Sequence, residues 1–266
     1  MKLETAAVSR PRRNRTEIPA GHGWLGIAPV LVAIAVNVRF FAARLPGTPL
    51  RVLSLIACDA ALRARGIIMT ADRRKAVIEA MELGALLNDR FDGDPYNTDA
   101  LRARVSWFAH SAHREVVWNY AKRLRRLERT RPDPGDCAAV VKCYRENVNR
   151  VSLAALWALA SARTLAAAEL EIECEADLHL LFKIVMQTQL IDDLLDVRHD
   201  RARGLPSFAA GADVTAASLL ELVSVYSDLT PIQLDRSFCL RVALKIVAAS
   251  AWILIALRTP IFTTRI

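Results

Sequence analysis

Between Asp72 and Leu87 the chain carries apolar residues at Val77, Met81, Leu83, Leu86 and Leu87. That three-to-four spacing marks one face of a helix, which Asp72 is placed to cap. Similar apolar runs, separated by turn residues, predict helices over most of the chain. One covers 24–44 and stops at Pro46-Gly47. A second runs from about 50 to 65 and ends near Gly66. The helix after Asp72 closes in NDRFDGDPYN, where Gly93 and Pro95 break it. Residues 98–129 form one long helix or two, and PDPG at 132–135 is a loop. Helix resumes over 137–168 and again, very apolar, over 175–200. RGLPSFAAGAD is a loop, and helices at about 214–228 and 233–257 complete the chain.

No segment alternates polarity with the period of a strand, and no glycine-rich phosphate loop occurs. The pattern predicts an all-α fold: a single bundle of about eight to ten helices. One domain is expected over 23–266, behind a basic, flexible tail at 1–22 that carries Arg10, Arg12, Arg13 and Arg15.

Composition agrees. Among 266 residues, glycine (10) and proline (11) are scarce, which favours helix over a β-sandwich or barrel. The net charge of +8 points to an anionic partner. Aromatics are few and no basic motif interleaves them, so nucleic acid is not expected. The five cysteines form no CxxC pair and read as free thiols in a reducing, cytoplasmic compartment. The apolar run at 24–38 is interrupted by Pro29, and 246–257 follows Lys245. Both fall short of the roughly 20 residues of a span and read as buried helices. A polar stretch precedes the first run, which argues against a signal peptide. Peripheral membrane contact remains open, and the basic run Lys122–Arg131 is a solvated helix face or a surface for anionic lipid. His110, His113, His179 and His199 lack cysteine or carboxylate partners at zinc-finger spacing.

The chemistry lies in two acidic segments. In QLIDDLLDVRHD, Asp192, Asp196 and Asp200 sit at i, i+4 and i+8, one stripe over two helical turns. Gln189 continues the stripe, and Asp193 points off it. Like charges at this spacing repel, and a buried carboxylate must be paired, protonated or bound to metal. The second segment, LLNDRFDGD, holds Asp89 and Asp92 at i and i+3, between Asn88 and Asp94. Each segment alone could be a solvated helix end. Facing one another across a bundle, their oxygen ligands would suit Mg²⁺ shared with a phosphate or diphosphate.

These two segments resemble the aspartate-rich motifs of the class I isoprenoid synthases: trans-prenyl diphosphate synthases, squalene and phytoene synthases, and class I terpene synthases. Gln189 to Asp196 matches QxxDDxxD, and Asp192, Asp196 and Asp200 fit the three-ligand terpene synthase pattern. Asn88–Asp92 is similar to DDxxD with asparagine first. The resemblance covers roughly residues 45–210. Its departures are the missing lysine and first arginine around Gly47–Arg51, the missing arginine pair after the first motif, and Leu205 after Gly204. The site for a second diphosphate therefore looks eroded.

The resemblance implies a central apolar cavity with metals at its mouth. It implies up to three Mg²⁺ ions held by Asp89, Asp92, Asp192, Asp196 and Asp200. Asn88, Gln189, Arg150, Lys183 and Arg201 would assist with geranyl, farnesyl or geranylgeranyl diphosphate. Trp107, Phe108, Trp118, Trp157 and Phe182 are candidates for lining the cavity, or plain core. A homodimer is also implied. Three activities stay open: ionisation of one allylic diphosphate to a terpene; a prenyltransferase joining two units; and a non-catalytic paralogue that binds prenyl diphosphates.

Overall fold

A computed structural model describes residues 49–133, 136–211, 213–234 and 238–263. The expected tail at 1–22 and helix at 24–44 lie outside the described residues, as does the start of Gly47–Arg51. The fold is all-α, with no strand among the described residues. In chain order the helices are α1 (Pro49–Arg63), α2 (Ala71–Asp92), α3 (Thr98–Ala109), α4 (Arg114–Glu128), α5 (Ala138–Ser161) and α6 (Leu165–Cys174). There follow α7 (Ala176–Leu195), α8 (Val197–Arg203), α9 (Ala216–Ser227), the single turn α10 (Pro231–Leu234) and α11 (Phe238–Thr263).

Small hydroxyl and amide side chains start several of these helices, because they satisfy backbone N–H groups that lack a partner in the first turn. The cap of α2 is Thr70, whose hydroxyl accepts from Arg73 N at 3.3 Å. Asp72, expected there, sits inside the first turn and instead pairs with His113 at 3.0 Å. Asn97 caps α3, Thr164 caps α6, and Thr215 forms a capping box with Ser218 at α9.

Residues 98–129 form two helices, the second of the two alternatives, and the expected helices at 137–168 and 175–200 are each divided as well; side-chain and backbone chemistry explains the breaks. At 98–129 the His110 ring nitrogen and the Ser111 hydroxyl engage the Ser106 and Phe108 carbonyls, which competes with helix continuation. At 137–168 Ala162 turns left-handed (φ 56°), and α6 leaves α5 at 109°. At 175–200 the break is Asp196 (φ −100°, ψ 11°). There Arg258 of α11 donates to the Leu194 and Leu195 carbonyls, which a continuous helix would use itself. The bonds Asp196 N→Asp192 O (3.0 Å) and Asp200 N→Asp196 O (2.9 Å) survive, so the acidic stripe keeps its register across the bend.

Helix α5 is the hub and packs against α1, α2, α4, α6 and α7. Its C-terminal half is small and apolar, with Ala154, Ala155, Ala158 and Ala160 buried beside Leu153, Trp157 and Leu159. Alanines let neighbouring helices approach closely. Burying a leucine-sized side chain contributes about 1.5–3 kcal/mol. Between α1 and α2 the fully buried Asp59 accepts from Arg63 (3.2 Å) and Arg74 (3.3 Å), a charge network that locks the two helices together.

Helix α11 lies along α7 and α9. The expected buried helix at 246–257 is corrected here: the apolar stretch extends over Leu240–Arg258, and only 22% of its window is buried. Among the described residues, packing on two helices covers one side of α11 and leaves the other open.

Cys58 is buried beside Asp59, and burial pushes its thiol up to about 12. Cys137, Cys143 and Cys174 are exposed free thiols. A brief N-ethylmaleimide pulse at neutral pH is therefore expected to label Cys137, Cys143 and Cys174 and to spare Cys58 until the chain is denatured. Peptide mass spectrometry reads the result, and rapid labelling of Cys58 in the native protein would contradict the burial described.

Candidate functional site

The two acidic segments meet. A cleft of about 560 Å³ is lined by α2, α4, α5, α7 and α8. Helix α2 and the residues after it supply Asn88, Asp89, Asp92 and Asp94. Helices α7 and α8 supply Gln189, Asp192, Asp193, Asp196, His199 and Asp200. Deeper lining residues include Ala80, Gly84, Tyr120, Leu124, Ala155 and Leu156. A Cβ on Gly84 would stand 3.1 Å from the Tyr120 hydroxyl, so glycine allows this close approach.

Each acidic segment ends on a left-handed glycine, Gly93 (φ 72°) after α2 and Gly204 (φ 64°) after α8. Both turns bring the chain back at the cleft rim. Arg203, just before Gly204, donates to the Asp92 carbonyl and pairs with Asp94. One arginine thus ties the second acidic segment to the first.

Asp193 has a separate role. It is 2% exposed and accepts from Gln189 Nε2 (2.6 Å), Arg145 Nη2 (3.1 Å) and Phe208 N (2.7 Å). Burial pushes its carboxyl upward, and these donors oppose the shift. The aspartate read as lying off the stripe is therefore the structural one. It fixes Gln189, holds Arg145 at the cleft, and anchors the loop after Gly204.

The stripe itself is graded. Asp192 and Asp196 are exposed at the cleft, and Asp200 is buried. Desolvation, and then the charges of Asp193 and Asp196, pushes Asp192 upward. Burial raises Asp200 to about 6, against the hydrogen bond from Ser207. On the opposite side Asp92 accepts from Asn88 Nδ2 at 2.8 Å and pairs with Arg131. Arg131 also reaches the Phe91 carbonyl (3.3 Å) and Glu128 (3.8 Å), and Glu128 accepts from Tyr144 (2.7 Å).

Sequence reasoning missed Arg131, Arg145, Arg203, Tyr144 and the anchoring role of Asp193. It placed Arg150, Lys183 and Arg201 at the site, and the structure brings none of the three to this cleft. Arg150 pairs with Glu173 (2.6 Å) and lies over the Phe182 ring at 5.3 Å. Lys183 donates to the Asp228 carbonyl and approaches Gln233. Arg201 donates to the Ala209 carbonyl at 3.1 Å. Helical phase explains the first two. The cleft face of α5 is Tyr144, Arg145, Val148, Asn149 and Ser152, and Arg150 sits about 140° around the helix from Arg145. Lys183 is turned about 120° from Gln189. That phase was legible once the boundaries of α5 were known.

The aromatic candidates do not line the cleft either. Phe108, Trp157 and Phe182 are core, Trp107 packs edge-on to Phe108 at 4.7 Å, and Trp118 is 57% exposed. The cleft's own aromatics are Phe91, Tyr120 and Tyr144. The central apolar cavity implied by the resemblance is not shown by this cleft, whose wall mixes carboxylates, arginines and apolar groups.

A hard divalent cation fits the donor set, which is carboxylate and amide oxygen on both sides of one cleft. Among the described residues, no three His, Cys, Asp or Glu side chains are gathered as a ready cage. Arg131 and Arg145 add positive charge to the same cleft.

Two outcomes follow. Asp193→Ala leaves Arg145 without its buried partner and is expected to cost about 3–5 kcal/mol in urea unfolding; a loss below about 1 kcal/mol would remove Asp193 as the anchor. Asp200 is raised above its unfolded value, so the folded protein binds the extra proton. Its contribution to stability falls as pH rises from about 4 to about 6 and is flat above. Asp200→Asn is therefore expected to melt higher than the parent above pH 6 without divalent cation, with the difference shrinking toward pH 4. Equal melting curves across that range would refute it.

No known protein family, no curated protein and no solved structure matches this chain.

Proposed function

We propose that the chain is a cytoplasmic, Mg²⁺-dependent, class I terpene synthase-like enzyme that ionises one allylic prenyl diphosphate. The observation that carries this reading is the convergence of Asp89 and Asp92 with Asp192, Asp196 and Asp200 on one cleft that Arg131 and Arg145 also line. Those five carboxylates would hold the metal. When bound, Mg²⁺ supplies charge neutralisation to the leaving diphosphate.

The chain's own residues do the rest. Arg131 and Arg145 would bind diphosphate oxygens, as planar donors suited to that anion. Asp193 orients Arg145 and Gln189 through hydrogen bonds of 3.1 and 2.6 Å. The apolar wall of Ala80, Leu124, Ala155 and Leu156 would hold the prenyl chain and limit water around an allylic cation. Tyr120 offers an aromatic ring at the same wall. The exposed free thiols Cys137, Cys143 and Cys174 support a reducing, cytoplasmic setting.

One observation favours a second reading, prenyl diphosphate binding without turnover. Asp92 is already paired with Arg131 and Asp94 with Arg203, which sets arginine in competition with metal at the first acidic segment.

Incubation with Mg²⁺ and geranyl, farnesyl or geranylgeranyl diphosphate, each alone and then with isopentenyl diphosphate, separates the readings. The expected result is pyrophosphate release and a hydrocarbon or alcohol from one allylic diphosphate alone. Asp192→Ala should reduce that by about 100-fold or more. A longer diphosphate formed only with isopentenyl diphosphate would assign a prenyltransferase. Mg²⁺-dependent binding without turnover would assign the non-catalytic reading.

A further inference from the structure

Helix α11 buries one face. Leu240, Leu244, Ala251 and Ile255 are covered, at spacings that keep them toward α7 and α9. The opposite face should be polar on a solvated surface helix. Instead it presents Val242, Ile246, Ile253 and Leu257 at 38%, 61%, 52% and 72% exposure, with Trp252 at 56% beside them. The helix contains no aspartate or glutamate; its charges are Arg241, Lys245 and Arg258. Among the described residues it is also the one helix long and apolar enough to cross a membrane.

We propose that the outer face of α11 docks on an anionic lipid bilayer, with the helix lying in the plane of the interface. Three arguments favour this occupant. First, large apolar side chains, an interfacial tryptophan and cations without acids are the composition of a helix seated among anionic headgroups. Second, α11 is packed against the bundle from Leu240 to Ile255, so a crossing helix would draw α7 and its aspartates into hydrocarbon, which is costly. Third, a second copy seated on the same face would bring up more cations of the Arg241 and Lys245 kind along its flank, with no acid on α11 to pair them.

The surface also reaches the cleft. Arg258 donates to the Leu194 and Leu195 carbonyls, and Leu195, 51% exposed, adjoins Asp196 at the cleft wall. Resting on the prenyl diphosphate reading for this one consequence, docking would bring the cleft to the surface where an amphiphilic substrate partitions.

The test needs no substrate, so its outcome is independent of turnover. The full chain is floated with phosphatidylcholine vesicles, with and without phosphatidylglycerol, and fluorescence quenching by brominated lipid is read for Trp252 by difference from Trp252→Phe. The expected result is flotation with the anionic vesicles and quenching of Trp252. The triple variant Ile246→Gln, Ile253→Gln, Leu257→Gln, with helical content unchanged by circular dichroism, should partition about tenfold less. Arg125→Ser with Arg126→Ser, on the basic face of α4, should leave partitioning unchanged. The proposal is overturned by any of five results: no flotation; equal flotation with neutral vesicles; no quenching of Trp252; loss of binding in the α4 variant instead; or carbonate-resistant insertion. A concentration-dependent dimer in sedimentation, abolished by the triple variant, would also overturn it and assign the face to a second copy.

Discussion

Asp193 is a charge that the fold cannot leave unpaired. It is almost fully buried on α7, where an isolated carboxylate would be expensive. Its oxygens are met by α5 through Arg145, by its own helix through Gln189, and by the loop after α8 through the Phe208 amide. Three parts of the molecule are held at one residue, and all three bear on the cleft. Both this contact and the apolar packing beneath it hold α5 against α7.

Around that anchor the cleft balances two populations of charge. The carboxylates of α2, α7 and α8 repel one another, and the rim arginines offset this repulsion. Arg131 covers Asp92, Arg203 covers Asp94, and Arg145 covers Asp193. Among the described residues Asp192 and Asp196 face the cleft with no ion-pair partner of this kind, and the raised Asp200 lies behind them. A cation with a bound anion would replace repulsion among these carboxylates by attraction, and would offer the arginines new oxygen partners.

Much of this was legible in the residues. The helical class followed from composition and spacing, and the two aspartate segments were visible as carboxylates in apolar surroundings. Their convergence was an expectation from the motif pair, and the cleft brings them together. The supporting cations were not legible in the same way. Arg145 and Arg150 are five residues apart on one helix, and only the rotational phase of α5 decides which reaches the cleft. Arg131 lies beyond the end of α4 and Arg203 is the last residue of α8, next to the Gly204 turn, where direction is set less by helical period than by how the chain turns. The break at Asp196 was hidden for a related reason, since its cause is Arg258, more than sixty residues downstream.

By itself, then, the sequence determined what acts locally: helix against strand, the turn glycines, the thiol inventory, and the register of Asp192, Asp196 and Asp200. Those properties depend on neighbours within about one or two helical turns, and such neighbours are written in order along the chain. Only the tertiary structure decided which cation meets which carboxylate, that Asp193 is buried while Asp192 is open, and that the described residues leave an apolar face of α11 uncovered. These are outcomes of how helices pack against one another, and packing places side by side groups that spacing along the chain does not relate.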